Sequence, residues 1–201
     1  MKMSYIANES YATAKEKGWW DESVPRSNAI LHFLMVSELS EALEDFRAHK
    51  GVTESWLENG TKPCGIPSEA GDIIIRIGDL AGKMNLTFGT HADTGTIFDD
   101  LGEPTQECGT GDSIFCSDIL WSRLRQPLEF DEAMMTATAR VSWVYVYGKD
   151  LTPTQLAYAY WRICNDIVVY FDEQGYDLRT MIQQKMEFNK TRPIRHGNKK
   201  V

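Results

Sequence analysis

The 201-residue chain has no run approaching the roughly 20 apolar residues that a membrane-spanning helix requires. Its N-terminal stretch, "MKMSYIANESYATAKEKGWW", lacks the apolar core of a secretory signal, so a cytoplasmic location is expected. The four cysteines, Cys64, Cys108, Cys116 and Cys164, form no CxxC pair, which points away from zinc or a disulfide framework and suits a reducing compartment. Positive charge is in deficit: the formal net charge of -8 disfavours broad binding to nucleic acid or to a membrane surface. "GTGDS" lacks the GK[ST] of a P-loop, and "DTGT" at Asp93 has neither flanking strands nor a second copy. Alternating strand patterns and internal repeats are missing as well.

What is present is helical. The pattern predicts helices over residues 3–17, 25–50 and 68–84, then from Asp131 onward. Thr152, Pro153 and Gln155 make a capping-box start with proline at the first helical position. Asp177 opens a last helix that Pro193 closes. "ENGTKPCGIP" reads as loop, and the Gly-, Thr- and Asp-rich stretch over about 85–130 as a long loop or insertion. The expected class is an all-α helical bundle, a single domain over residues 1–201.

The second helix carries Glu38, Glu41, Glu44 and Asp45 within eight positions. At about 100° per residue, Leu31, Leu34, Met35 and Ala42 fall within about 60° of Glu38. Asp45 lies in the same apolar stripe, Glu41 at its edge, and Glu44 points the other way as a solvated acid. A carboxylate at Glu38 therefore needs a positive partner: an arginine, a lysine or a metal ion. The third helix repeats the arrangement. Ile73, Ile74, Ile75, Ile77 and Leu80 cover three sides, leaving a stripe of Glu69, Asp72, Arg76 and Asp79. That stripe can face water, with Arg76 paired to Asp72 or Asp79 on its own helix.

Taken together, each helix aims two acids, at i and i+3, at one point beside it. Packed side by side, the two helices make an all-oxygen pocket suited to a hard dication, Mg²⁺ above all, with Mn²⁺ a possible substitute. No Glu has a His three residues later, as a di-iron carboxylate bundle would want.

At these residues the chain resembles the all-α nucleoside triphosphate pyrophosphatase superfamily, in particular its MazG-like members. The signature is ExxE on one helix and ExxD on a later one, matched by Glu38–Glu41 and Glu69–Asp72. "KGWWDE", "ELSEALEDFR", "EAGDIIIRIGDLAG" and "KMEFNKTRPIRHGNKK" carry the resemblance further, over residues 10–84 and 150–200. The resemblance implies Mg²⁺-dependent hydrolysis of a (deoxy)nucleoside triphosphate to monophosphate and pyrophosphate, in a bundle that forms a homodimer or homotetramer. It implies Glu38, Glu41, Glu69 and Asp72 as metal ligands. Glu38 or Glu41 would also orient or deprotonate the attacking water. A dUTPase-like, deoxynucleotide-restricted hydrolase and a non-catalytic nucleotide-binding regulator on the same scaffold are the alternatives.

The tail fits an anionic ligand. From Arg179 onward stand seven basic residues against one acid, Glu187. Lys185, Asn189 and Arg192 share one helical face at i, i+4 and i+7, suited to hold phosphates, and Arg195 follows. Trp20, beside Trp19, offers a stacking face for a base, or else serves the core or an interface.

Overall fold

The computed structural model describes residues 1–23, 25–90, 97–102 and 129–198. These form a helical bundle, as the apolar periodicity predicts, with seven helices among the described residues. They are α1 (Met3–Glu16), α2 (Asn28–Arg47), α3 (Ile66–Lys83), α4 (Phe130–Tyr147), α5 (Pro153–Glu173), α6 (Leu178–Thr191) and the terminal turn α7 (Arg195–Asn198).

Helix α3 is the hub, packing against α1, α2, α5 and α6. Its isoleucines are the reason: Ile66, Ile73, Ile74 and Ile77 have no solvent exposure at all. They join Met3, Ile6, Met35, Ala42, Val168, Phe171 and Ile182 in one apolar cluster. Each fully buried aliphatic chain of this size contributes about 1.5–3 kcal/mol. Gly82 sets how near α1 can come. A Cβ there would lie 2.5 Å from the Ala7 carbonyl oxygen and 2.6 Å from Tyr11 Cβ.

Several helix ends sit where side chains satisfy backbone donors. Helix α2 starts at Asn28 rather than Pro25, because the Ser27 hydroxyl accepts from the Ile30 amide at 3.2 Å. It stops at Arg47, short of Gly51, because His49 turns left-handed at φ 60°. The Thr152–Gln155 capping box forms as predicted. His32 is fully engaged, with Nδ1 2.9 Å from the Asn28 carbonyl and Nε2 3.1 Å from the Tyr160 hydroxyl.

Two short antiparallel hairpins correct the loop reading. Strand β1 (Trp56–Glu58) pairs with β2 (Lys62–Cys64), the turn and β2 lying inside "ENGTKPCGIP". The signal was present: Asn59 and Gly60 take successive left-handed conformations, φ 52° and 73°, and Asn-Gly is the dipeptide that does so most readily. Strand β3 (Gly89–Thr90) pairs with β4 (Ile97–Phe98).

The chain just after β4 also departs from the expected loop over 85–130. Phe98 and Leu101 enter the core, 1% and 3% exposed. The Asp99 carboxylate accepts from the Ser4 amide at 2.7 Å and its hydroxyl at 2.9 Å. Lys2 gives α1 no side-chain cap, so Asp99 caps that helix from 95 residues away. The rest of the expected insertion, residues 91–96 and 103–128, lies outside the described residues.

Gly82→Ala tests the close approach of α1 and α3. An exposed helical site would gain about 1 kcal/mol from alanine, whereas overpacking costs about 1–3 kcal/mol. Urea unfolding should show a loss; a gain would mean the two helices are not in contact at that rung.

Candidate functional site

Helices α2 and α3 bring the predicted acids together. Carboxylate oxygens of Glu38, Glu41 and Glu69 all lie within 4.8 Å of one another. Glu38 is 4% exposed, in the apolar stripe that its angle on α2 predicts. Its charge is met by Arg76 of α3, whose Nε and Nη2 donate to Glu38 Oε1 at 2.7 Å and 2.5 Å. Arg76 thus pairs across the helix interface and not with Asp72 or Asp79 of its own helix, the pairings expected from spacing.

Asp72 has a partner of its own. Lys185 of α6 reaches its Oδ2 with Nζ at 2.6 Å. Lys185 is itself 4% exposed, and Nζ lies 3.5 Å from the Pro63 carbonyl of β2. The β1–β2 hairpin therefore helps to seat the lysine. Two ammonium or guanidinium groups now balance two of the four acids. The side-chain carboxylates of Glu41 and Glu69 have no hydrogen bond or ion pair to another described residue.

The electrostatics follow. Burial pushes the Glu69 carboxyl up to about 8; Lys185 opposes the rise, and Asp72, Glu38 and Glu41 reinforce it. Asp72 is also raised, first by burial, with Lys185 opposing. Repulsion within the cluster and loss of solvent both favour a bound proton, and a dication would relieve both. The donor set consists of carboxylate oxygens alone, which suits Mg²⁺ or Mn²⁺ and not a soft metal.

A cavity of about 250 Å³ opens beside the acids. Glu38, Glu41 and Asp72 line one part, and Lys17, Arg26, Arg76, Asn189, Arg192 and His196 give it donors. Of the predicted phosphate-binding face on α6, Asn189 and Arg192 lie on this wall, while Lys185 is committed to Asp72. Arg195 adopts φ 43°, and its amide donates to the Lys17 carbonyl at 3.0 Å, so it fastens the terminal turn to α1.

Trp19, not Trp20, lines the cavity. The Trp20 indole donates to Asp79 at 2.6 Å, and its ring is faced by Arg26 at 4.4 Å and Lys83 at 5.3 Å. Burial raises Asp79 to about 6, with the Trp20 hydrogen bond and Arg26 opposing. Asp45 lies half-buried on the far side of Glu41, in a second cleft with Trp56, Lys62 and Glu69. Arg26 was not legible as a site residue; in "VPRSNAI" nothing separates it from a solvated basic residue before a helix.

No protein-family model, curated protein or solved structure matches the chain. The chemistry of the site therefore stands on its own geometry.

That geometry sets a pH dependence. The folded state keeps the Glu69 proton that the unfolded chain releases near pH 4.5, so stability falls as pH rises from about 5 to about 8. In metal-free buffer the melting temperature should drop across this window. Glu69→Gln should flatten the drop, as should millimolar Mg²⁺ at the alkaline end. An equal slope in wild type and variant would show that Glu69 is not held protonated.

Proposed function

We propose that this protein is a Mg²⁺-dependent nucleoside triphosphate pyrophosphohydrolase, converting a (deoxy)nucleoside triphosphate and water to the monophosphate and pyrophosphate. One observation carries the reading: three carboxylates within 4.8 Å of one another beside a cavity whose walls supply Arg76, Asn189 and Arg192. The ExxE and ExxD spacing that resembles the MazG-like pyrophosphatases supports it.

Glu38, Glu41 and Glu69 would hold the dication, with Asp72 joining once Lys185 turns to a phosphate. Bound there, the metal would supply positive charge to offset the negative charge building on the phosphate oxygens. Asn189 and Arg192 donate to those oxygens and align the chain. Glu38 is fixed by Arg76, so it positions. Glu41 is exposed and has no such partner, so its carboxylate accepts the proton of the attacking water. Water oxygen bonds to the α-phosphorus as the bond to the α–β bridging oxygen breaks, and pyrophosphate leaves with that electron pair.

A non-catalytic nucleotide-binding protein is the second reading. It is favoured by the Arg76–Glu38 and Lys185–Asp72 pairs, which neutralise two of the acids without any ligand. Association into a homo-oligomer belongs to the proposal as well. Its support is a cleft between α2 and α4 lined by Leu39, Leu43, Phe130 and Met135, with Met135 68% exposed. No helix of the described residues is long and apolar enough to cross a membrane.

A panel of nucleotides assayed for pyrophosphate release, with and without Mg²⁺, decides between the two. Glu38→Gln and Asp72→Asn should abolish turnover with helicity retained in circular dichroism, and Glu41→Gln should lower kcat by on the order of 10²-fold. Full activity in Glu38→Gln would remove the metal role. Nucleotide binding without any pyrophosphate would establish the second reading.

A further inference from the structure

Three buried side-chain polar atoms among the described residues have no hydrogen-bond partner: Ser10 Oγ, Arg26 Nε and Arg26 Nη2. Both residues line the same cavity, the one beside the acids. Buried donors are almost always satisfied in a folded protein, and a charged one left unpaired is strongly unfavourable. Their coincidence on one wall points to a ligand that supplies the missing acceptors.

Arg26 is built into its place. Its side chain is only 5% exposed, and its guanidinium carbon lies 5.4 Å from the Trp19 ring centre and 4.4 Å from that of Trp20. The nearest carboxylate, Asp79, stands 3.7 Å from Nη2, an ion pair too long to be a hydrogen bond. Asp79 meanwhile takes its hydrogen bond from Trp20. A guanidinium held over both indole rings keeps those favourable contacts while Nε and Nη2 stay without a hydrogen-bond partner. No hydrogen bond from Nε or Nη2 has to break before it engages an acceptor.

Which acceptor fits follows from the surroundings. The cavity is lined by Lys17, Arg76 and Arg192 as well as by Glu9, Glu38, Glu41, Asp72 and Asp79, and the unpartnered guanidinium edge of Arg26 within it calls for an anionic acceptor. Two uncommitted N–H groups of one fork match two oxygens of a phosphate. The Ser10 hydroxyl, 5% exposed on α1, adds a neutral donor.

We propose that Arg26, assisted by Ser10, is a phosphate-binding residue of this cavity, seated by Trp19 and Trp20 and holding a phosphate of the polyphosphate chain. It deepens the pyrophosphohydrolase reading and rests on it for the identity of the ligand. The paired tryptophans then act on the phosphate end of the ligand through the arginine between them, and not by stacking on a base.

The test is calorimetric titration of the full chain with inorganic pyrophosphate in the presence of Mg²⁺. Arg26→Gln should weaken binding at least tenfold and Ser10→Ala by a few fold. Arg26→Lys keeps the charge beside Asp79 but loses the fork, and should recover only part of the affinity. Arg26→Gln removes the ion pair with Asp79 and the two ring contacts, so the ligand-free melting temperature should fall, and affinity is read at a temperature where each variant is folded. A purely structural arginine predicts unchanged pyrophosphate affinity in the folded variants. Should Arg26→Gln unfold, the affinity of Arg26→Lys decides. Wild-type affinity in both arginine variants overturns the assignment, as does a wild-type protein that takes up no pyrophosphate. Strong, Arg26-dependent pyrophosphate binding in a protein that hydrolyses no nucleotide keeps the phosphate site and removes the hydrolytic reading instead.

Discussion

Four carboxylates on facing turns of two helices cannot share a water-poor space without positive charge among them. That constraint organises the bundle around α3. Arg76 crosses to Glu38, and Lys185 descends from α6 to Asp72, each supplying the counter-charge that its partner acid would otherwise draw from a proton or an ion. Breaking one such buried pair from one side costs about 3–5 kcal/mol. The same lysine ties three parts of the chain together, since its ammonium also approaches the Pro63 carbonyl in the β1–β2 hairpin. Charge compensation and tertiary packing are therefore the same set of contacts, and a ligand that alters one must alter the other.

The acids themselves were legible because helical geometry is local. Residue spacing alone places Glu38 in an apolar stripe, and the fold finds it 4% exposed; it likewise leaves Glu44 outside, where it pairs with Arg47 on the surface. Partners across the interface were not legible. From spacing, Arg76 has two acids within reach on its own helix, and only the packing of α2 on α3 puts Glu38 nearer. Lys185 reads as part of a phosphate-binding face for the same reason: Asn189 and Arg192, four and seven residues on, are visible in the sequence, but Asp72 as its partner is not. The long-range cap by Asp99 lies further still from any local rule, although Asn59-Gly60 was a local hairpin signal that three-residue strands containing proline made easy to pass over.

The cavity also shows how a protein can spend stability on a site. Arg26 and Ser10 keep donors unsatisfied in the interior, where a better-packed apolar pair would stabilise the empty protein. Around them the interior is well satisfied: His32 uses both ring nitrogens, and Asp79 accepts from an indole. Unmet hydrogen bonding that, among the described residues, falls in one cavity with clustered carboxylates separates a binding surface from ordinary core more sharply than either feature would alone.

The tight seat of Gly82 against Ala7 has a mechanical corollary. Helices α1 and α3 touch there with no slack, so they form a stiff back plate and move, if at all, as one body. Helix α6 meets α1 differently, through the Lys190–Glu9 ion pair at 3.3 Å and a Tyr5–Gln183 hydrogen bond at 3.4 Å, both near solvent. Contacts of that kind are weak and screened by dissolved ions. Dissolved ions should therefore loosen the seam between α1 and α6, while α6 itself stays bolted to α3 through Ile182 and Lys185.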